Sequence, residues 1–146
     1  MIPPEAVNLE HLSRLLDDAV IDWTVNGERT LYVTGLQTPL WLEHDAETDR
    51  VMLRTYWPVR PETDDIVALR LANHCNASLV MVQFWFDAAT RRFFGQYVLG
   101  CRDGLDRRLF IRSLRQFAEI FAIAARDYDE DDALCEQLDA PESAPD

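Results

Sequence analysis

The last third of the chain carries the pattern that most restricts the fold. Phe110, Leu114, Phe117, Phe121 and Ala124 recur at intervals of 4, 3, 4 and 3, the period of one helix face. A helix running from near Asp106 to about Arg126 therefore presents a wide aromatic stripe that needs a second layer to bury it. The rest of the chain predicts that layer. Thr30–Thr34 is β-branched and aromatic, Leu40–His44 follows Pro39, and Arg50–Trp57 alternates clearly up to Pro58. Trp23-Thr24-Val25 precedes Asn26-Gly27, a strong turn signal. Leu79–Asp87 is the strongest strand, and a turn through Ala88–Arg91 leads back along Phe93–Leu99. Short turns between consecutive strands imply antiparallel pairing.

Two further helices are expected. Asn8 is a good N-cap for a first helix with the stripe Leu9, Leu12, Leu16 and Ala19. Thr63, followed by Asp64 and Asp65, opens a second, in which Ile66, Leu69 and Asn73 share a face flanked by Val67 and Leu71. The order is helix, three or four strands, helix, two strands, helix, or α-β-β-β-α-β-β-α in its three-strand form. The expected fold class is α+β: a mainly antiparallel sheet, a meander plus a hairpin, with helices on one face.

Charge divides the chain in two. The net charge is −12, all 14 basic residues are arginine, and lysine is absent. Residues 1–126 hold every arginine and 17 acids, whereas 127–146 hold nine acids and no base. We therefore expect a folded domain over 1–126 and an acidic, disordered tail over 127–146. Asp127-x-Asp129-x-Asp131 is not a calcium loop, because Asp132 stands where the turn needs glycine and Leu138 where glutamate should close the cage. The acidic balance argues against a dedicated nucleic-acid binder and against an anionic membrane surface. That argument weakens within the domain, where Arg91, Arg92, Arg102, Arg107, Arg108, Arg112 and Arg115 make one basic stretch. No apolar run approaches the roughly 18 residues of a membrane span, and the N-terminal residues lack signal-peptide regions. Cys75, Cys101 and Cys135, odd in number and without a Cys-x-x-Cys pair, fit a reducing, cytoplasmic compartment.

Catalytic signals are sparse. His11, His44 and His74 share no metal spacing, and Glu43-His44-Asp45 alternates across a strand. Gly-x-Ser-x-Gly and phosphate-binding glycine loops are absent. We expect no enzyme, no catalytic residue, no metal and no cofactor. The stronger signal is on the sheet. If Leu40, Leu42, Val51, Leu53, Val80, Val82, Phe84 and Phe86 face the helices, then Trp41, Met52, Arg54, Tyr56, Met81, Gln83 and Trp85 face the other way. Solvated strand faces are usually Thr, Lys, Glu and Ser, while tryptophan, tyrosine, methionine and arginine are enriched at interfaces. Either another chain covers this face or a helix does.

The element order, together with Leu69-Arg70-Leu71-Ala72-Asn73-His74-Cys75-Asn76 closing the middle helix before an aromatic strand, resembles the YbjN family. That family shares the fold of the class I type III secretion chaperones and carries the label of sensory-transduction regulators. The resemblance covers residues 5–126. It implies a bacterial, cytoplasmic homodimer that binds a client or regulatory protein and has no active site. The expected function is a non-enzymatic protein-binding module, chaperone-like or regulatory, that binds a client or partner protein through a sheet face, with the seven residues above as candidates, or through a helix surface. The alternative is a sensor of a small anionic ligand or nucleotide, using the arginines of 91–115.

Overall fold

In the computed structural model, which describes residues 1–136, the chain forms three helices and one six-stranded antiparallel sheet. Helix α1 spans Leu9–Asp18, followed by strands β1 (Trp23–Val25), β2 (Thr30–Val33), β3 (Leu40–Asp45) and β4 (Arg50–Pro58). Helix α2 (Asp65–Ser78) leads into β5 (Gln83–Asp87), β6 (Arg92–Gly100) and helix α3 (Arg107–Asp127). The α+β class holds, and the meander has four strands because Trp23–Val25 pairs with Val33–Leu31. Strand order is β1-β2-β3-β4-β6-β5. The chain leaves the meander through α2, and the hairpin returns so that β6, not β5, lies beside β4.

The helix ends follow the capping chemistry. Asn8 Oδ1 accepts the His11 N–H at 2.8 Å and Asp106 Oδ1 accepts the Leu109 N–H at 2.8 Å. Helix α2 has Asp64 at its N-cap rather than Thr63, with no side-chain cap bond. Its start is held instead by Arg91, which pairs with Asp65 at 2.6 Å and donates to the Thr63 carbonyl.

All three helices bury their apolar stripes in one cluster, against one face of the sheet. Phe110, Leu114, Phe117 and Phe121 of α3 are fully buried there with Leu12 and Leu16 of α1 and Leu40, Leu42, Val51 and Leu53 of the sheet. Phe121 lies against Phe84 and Phe93, with ring centroids 6.2 and 5.9 Å away. Gly95 makes that approach possible, since a Cβ there would stand 2.5 Å from Phe121 Cδ2.

Three sequence expectations need correction. Helix α2 turns Ala68, Leu71, Ala72 and Cys75 inward, leaving Ile66 51% and Leu69 49% exposed. The helix is apolar on several sides, so periodicity does not single out a face, and the small residues allow close packing on β5. Secondly, β5 starts at Gln83. Residues 79–82 make a tight turn in which the Val82 N–H donates to the Val80 carbonyl and Met81 adopts φ +75°. Val80 is consequently 77% exposed, and Met81 packs on the helix-side cluster instead of the opposite face.

The third concerns the acidic segment. Residues 127–136 are packed: Asp129 accepts the N–H groups of Ala133 and Leu134 at 2.8 and 2.9 Å. Ala133 and Leu134 are buried, Leu134 bridges Val59, and the Cys135 N–H donates to the Pro58 carbonyl. Arg60 pairs with Asp132 and Arg126 with Glu136. Charge density predicts disorder from 127, but one carboxylate used as a turn acceptor and one buried leucine suffice to dock these residues. The rest of that expectation, on 137–146, lies outside the described residues.

Candidate functional site

The face of the sheet away from the helices carries a second cluster, formed by Tyr32, Trp41, Tyr56 and Phe94 with Trp85 packed against it. Among the described residues, none from α1, α2 or α3 belongs to it, so these three helices do not straddle the sheet. The cluster follows from strand alternation. Leu31 and Val33 point to the helices and place Tyr32 opposite, and the Phe93-Phe94 pair contributes one ring to each core.

Antiparallel register then lines the rings up across five strands. Tyr32 on β2 opposes Trp41 on β3, and Phe94 on β6 is flanked by Tyr56 on β4 and Trp85 on β5. Successive centroids lie 5.0 Å (Tyr32–Trp41), 5.4 Å (Trp41–Tyr56), 5.5 Å (Tyr56–Phe94) and 5.0 Å (Phe94–Trp85) apart. Trp41–Tyr56 and Trp85–Phe94 are stacked, with interplanar angles of 4° and 11°. Such pairs contribute about 0.5–1.5 kcal/mol each beyond burial.

Polar chains frame this ladder. The Arg92 guanidinium sits 4.3 Å over the Tyr56 ring, and Arg54 donates through Nε and Nη2 to Gln96 Oε1 at 3.0 and 2.6 Å. Tyr32, Trp41, Tyr56 and Phe94 are only 3–5% exposed. Burial, and secondarily the proximity of Tyr56, raises the Tyr32 phenol above its ordinary value. Trp41 Nε1 is buried and has no hydrogen-bond partner among the described residues.

The seven sequence-selected residues therefore divide. Trp41, Met52, Arg54, Tyr56, Gln83 and Trp85 lie on this face, and Met81 does not. Trp41 and Tyr56 are buried beside neighbouring rings, Met52 and Arg54 are half-buried, Trp85 is half-buried, and Gln83 is exposed. Sequence reasoning missed Tyr32 and Phe94. The signal was present: each is an aromatic whose two chain neighbours face the helix-side core, as they do for Trp41 and Trp85.

The outer edge of β5 is also occupied. The Asn76 carboxamide accepts the Phe84 N–H and donates to the Phe84 carbonyl, both at 2.9 Å. A side chain near the end of α2 thus takes the two backbone groups that a further strand would use at the second residue of this edge.

The basic stretch is dispersed by the fold. Arg91 anchors α2, Arg92 covers Tyr56, and Arg102 approaches Asp49 at 3.8 Å. Arg107, Arg108, Arg112 and Arg115 stay together on α3. Among the described residues, no three His, Cys, Asp or Glu side chains converge as a metal site would require. His74 is used in an edge contact with the Tyr128 ring at 5.1 Å. Burial, and next the Asp129 charge, pushes the Cys75 thiol up to about 11, and burial raises Cys101 as well. Neither has the depressed value of a nucleophilic cysteine. Among the described residues, no helix is long and apolar enough to cross a membrane.

Comparison with known proteins agrees with this architecture. The crystal structure of YbjN, "a putative transcription regulator from E. coli", superposes with a TM-score of 0.76 over 88% of this chain and 96% of that one, at 16% identity. The chaperone–effector complex HopA1–SchA gives a TM-score of 0.55, covering 82% of this chain and 90% of that one, at 15% identity. The ExsC–ExsE complex gives 0.50, covering 81% and 92%, at 16% identity. At these identities the likeness is one of fold. No curated protein sequence matches the chain. A family model described as "putative bacterial sensory transduction regulator" matches residues 8–130, nearly the whole described domain, and the chain belongs to this YbjN family.

Proposed function

We propose that this chain is a non-enzymatic protein-binding module, regulatory or chaperone-like, that meets its partner through the aromatic face of the sheet. The observation that carries the reading is the ladder itself: five rings cross a face that none of α1, α2 and α3 covers, ending at a half-exposed Trp85 on the edge strand. Aromatic, methionine and arginine side chains of this kind are the usual anchors of interfaces. The complexes among the fold neighbours, one of them a chaperone with its effector, support the same reading.

In this reading the protein works in the cytoplasm as a homodimer that recruits a client or regulatory protein. Met52, Arg54, Gln83 and Trp85 make the contacts, while the sealed rings behind them hold the surface rigid. Trp85→Glu tests it by light scattering and thermal unfolding. The wild-type chain should show twice its 16.9 kDa mass, and the variant should shift toward the monomer. A wild-type monomer, or a variant with unchanged mass and unchanged stability, would sink the proposal.

A further inference from the structure

A groove of about 810 Å³ runs between α1 and α3, on the side of the molecule that the aromatic face does not use. Half-buried Ala19 and Ile111 supply its apolar surface, over Leu15, which is buried in the core beneath them. Arg108, Arg112 and Arg115 line the same groove at i, i+4 and i+7, one row of α3. At 1.5 Å per residue that row is about 10 Å long. All three arginines are exposed and, with Arg107, make no ion pair among the described residues, whereas Arg14, Arg60, Arg91, Arg102 and Arg126 each have one.

Shape and charge together select the occupant. An open depression between two helices, with half-buried apolar groups at its base and charged side chains along its walls, has the form that seats a third helix. A nucleic-acid backbone would leave Ile111 with nothing apolar to meet, and would face Asp18, Asp106 and Glu119 on the same lining. A small anion needs convergent donors, but these guanidinium groups are spread along a helix. We propose that the α1–α3 groove docks an amphipathic helix of a partner protein. Its apolar ridge lies on Ala19 and Ile111, and a row of Asp or Glu at i, i+4 and i+7 faces Arg108, Arg112 and Arg115. Helix-in-groove recognition supplies affinity from the ridge, and the carboxylate row supplies orientation and choice of partner. Asp18, on the opposite wall, excludes a helix acidic on both flanks.

The test uses the full chain and a fluorescein-labelled amphipathic peptide of about 15 residues, helix-stabilised because an isolated helix of that length is marginal. The peptide carries a leucine ridge with one glutamate row. A second peptide has lysine in place of glutamate, and a short DNA duplex is the third probe. Anisotropy should show the acidic peptide binding at least about tenfold more tightly than the lysine version. Replacing the three pairs through Arg108→Gln, Arg112→Gln and Arg115→Gln together should weaken it about tenfold, three exposed ion pairs at their usual worth. Raising salt from about 0.1 M to about 1 M should reduce the difference between the peptides, since screening shortens from about 10 Å to about 3 Å. Ile111→Glu should abolish binding, and Trp85→Glu should leave it unchanged, which separates this surface from the sheet face. Thermal unfolding verifies that the exposed Arg→Gln changes leave the fold intact. Equal binding of the two peptides, no binding of the acidic one, preference for the duplex, or insensitivity to the arginine changes each overturns the proposal.

Discussion

Replacing Asn76 with alanine removes both hydrogen bonds to Phe84, a donor and an acceptor at 2.9 Å each. A neutral intramolecular bond contributes about 0.5–1.5 kcal/mol net, so the variant should lose about 1–3 kcal/mol. In a domain of this length that corresponds to a Tm lower by roughly 3–10 °C. The penalty falls toward the low end if water reaches the freed Phe84 groups and toward the high end if α2 keeps covering them.

Asn76→Asp separates the two bonds. The carboxylate still accepts the Phe84 N–H but cannot donate to the carbonyl, and it places a negative charge against that oxygen. Its folded pKa should therefore lie above the unfolded value of about 4. For a group with a raised folded pKa, stability is full below the unfolded pKa and is lost as pH rises through the folded one. The aspartate variant should match the wild type most closely near pH 4 and fall away toward pH 7, whereas the alanine variant should keep a constant deficit. Denaturant midpoints across that range measure both. A deficit below about 0.5 kcal/mol for Asn76→Ala, or a pH-independent aspartate variant, would refute the role given to this side chain.

Two other perturbations follow from the geometry. Gly95→Ala sets a Cβ 2.5 Å from Phe121 Cδ2, an overpacking that should cost about 1–3 kcal/mol in denaturant titration, with most of the loss recovered in a Gly95→Ala/Phe121→Leu double variant. Cys75, whose thiol is pushed up to about 11, and Cys101, raised by burial, should resist a thiol reagent at pH 8. The half-buried Cys135 should label first by mass spectrometry, and equal labelling of all three in the folded protein would contradict the packing.

Much of the fold is legible in the sequence because its periodic segments are long or unambiguous. The α3 stripe, the caps at Asn8 and Asp106, and alternation along Arg50–Trp57 each specify one conformation by local chemistry. The failures occur where local chemistry is degenerate. Helix α2 offers Ile66 and Leu69 as plausibly as Ala68 and Leu71, and only the closeness of β5 decides for the small residues. Leu79–Val82 reads as strand by propensity, but Met81 takes positive φ and leaves Val80 in solvent. At 127–136, charge outweighs a single leucine in any compositional argument, yet the Asp129 turn and the Val59–Leu134 bridge depend on where β4 ends. For the candidate face, alternation identifies six of the seven residues. It cannot show that Trp41 and Tyr56 lie buried beside Tyr32 and Phe94, since that depends on cross-strand register.

The edges of the sheet bear on how a partner can approach. An antiparallel sheet normally offers its outer strands for pairing with another chain. Here one edge is β1, only three residues long, whose first side chain is tied back to α1 through Trp23 Nε1 and Asp17 at 2.8 Å. The other is β5, where alternate residues turn their backbone groups outward and Asn76 takes those of Phe84. In a strand of five residues, that leaves too few free groups for a continuous ladder. Strand addition is thus disfavoured at both ends, and recognition shifts from backbone to side chains. Side-chain recognition needs a rigid, chemically distinctive surface, and the stacked ladder is such a surface because each ring fixes the next. The asparagine that closes the edge and the tryptophan that ends the ladder sit on opposite sides of the same short strand. Asn76→Ala should therefore raise edge-dependent self-association without altering the ring stacking, and Trp85→Glu should do the reverse.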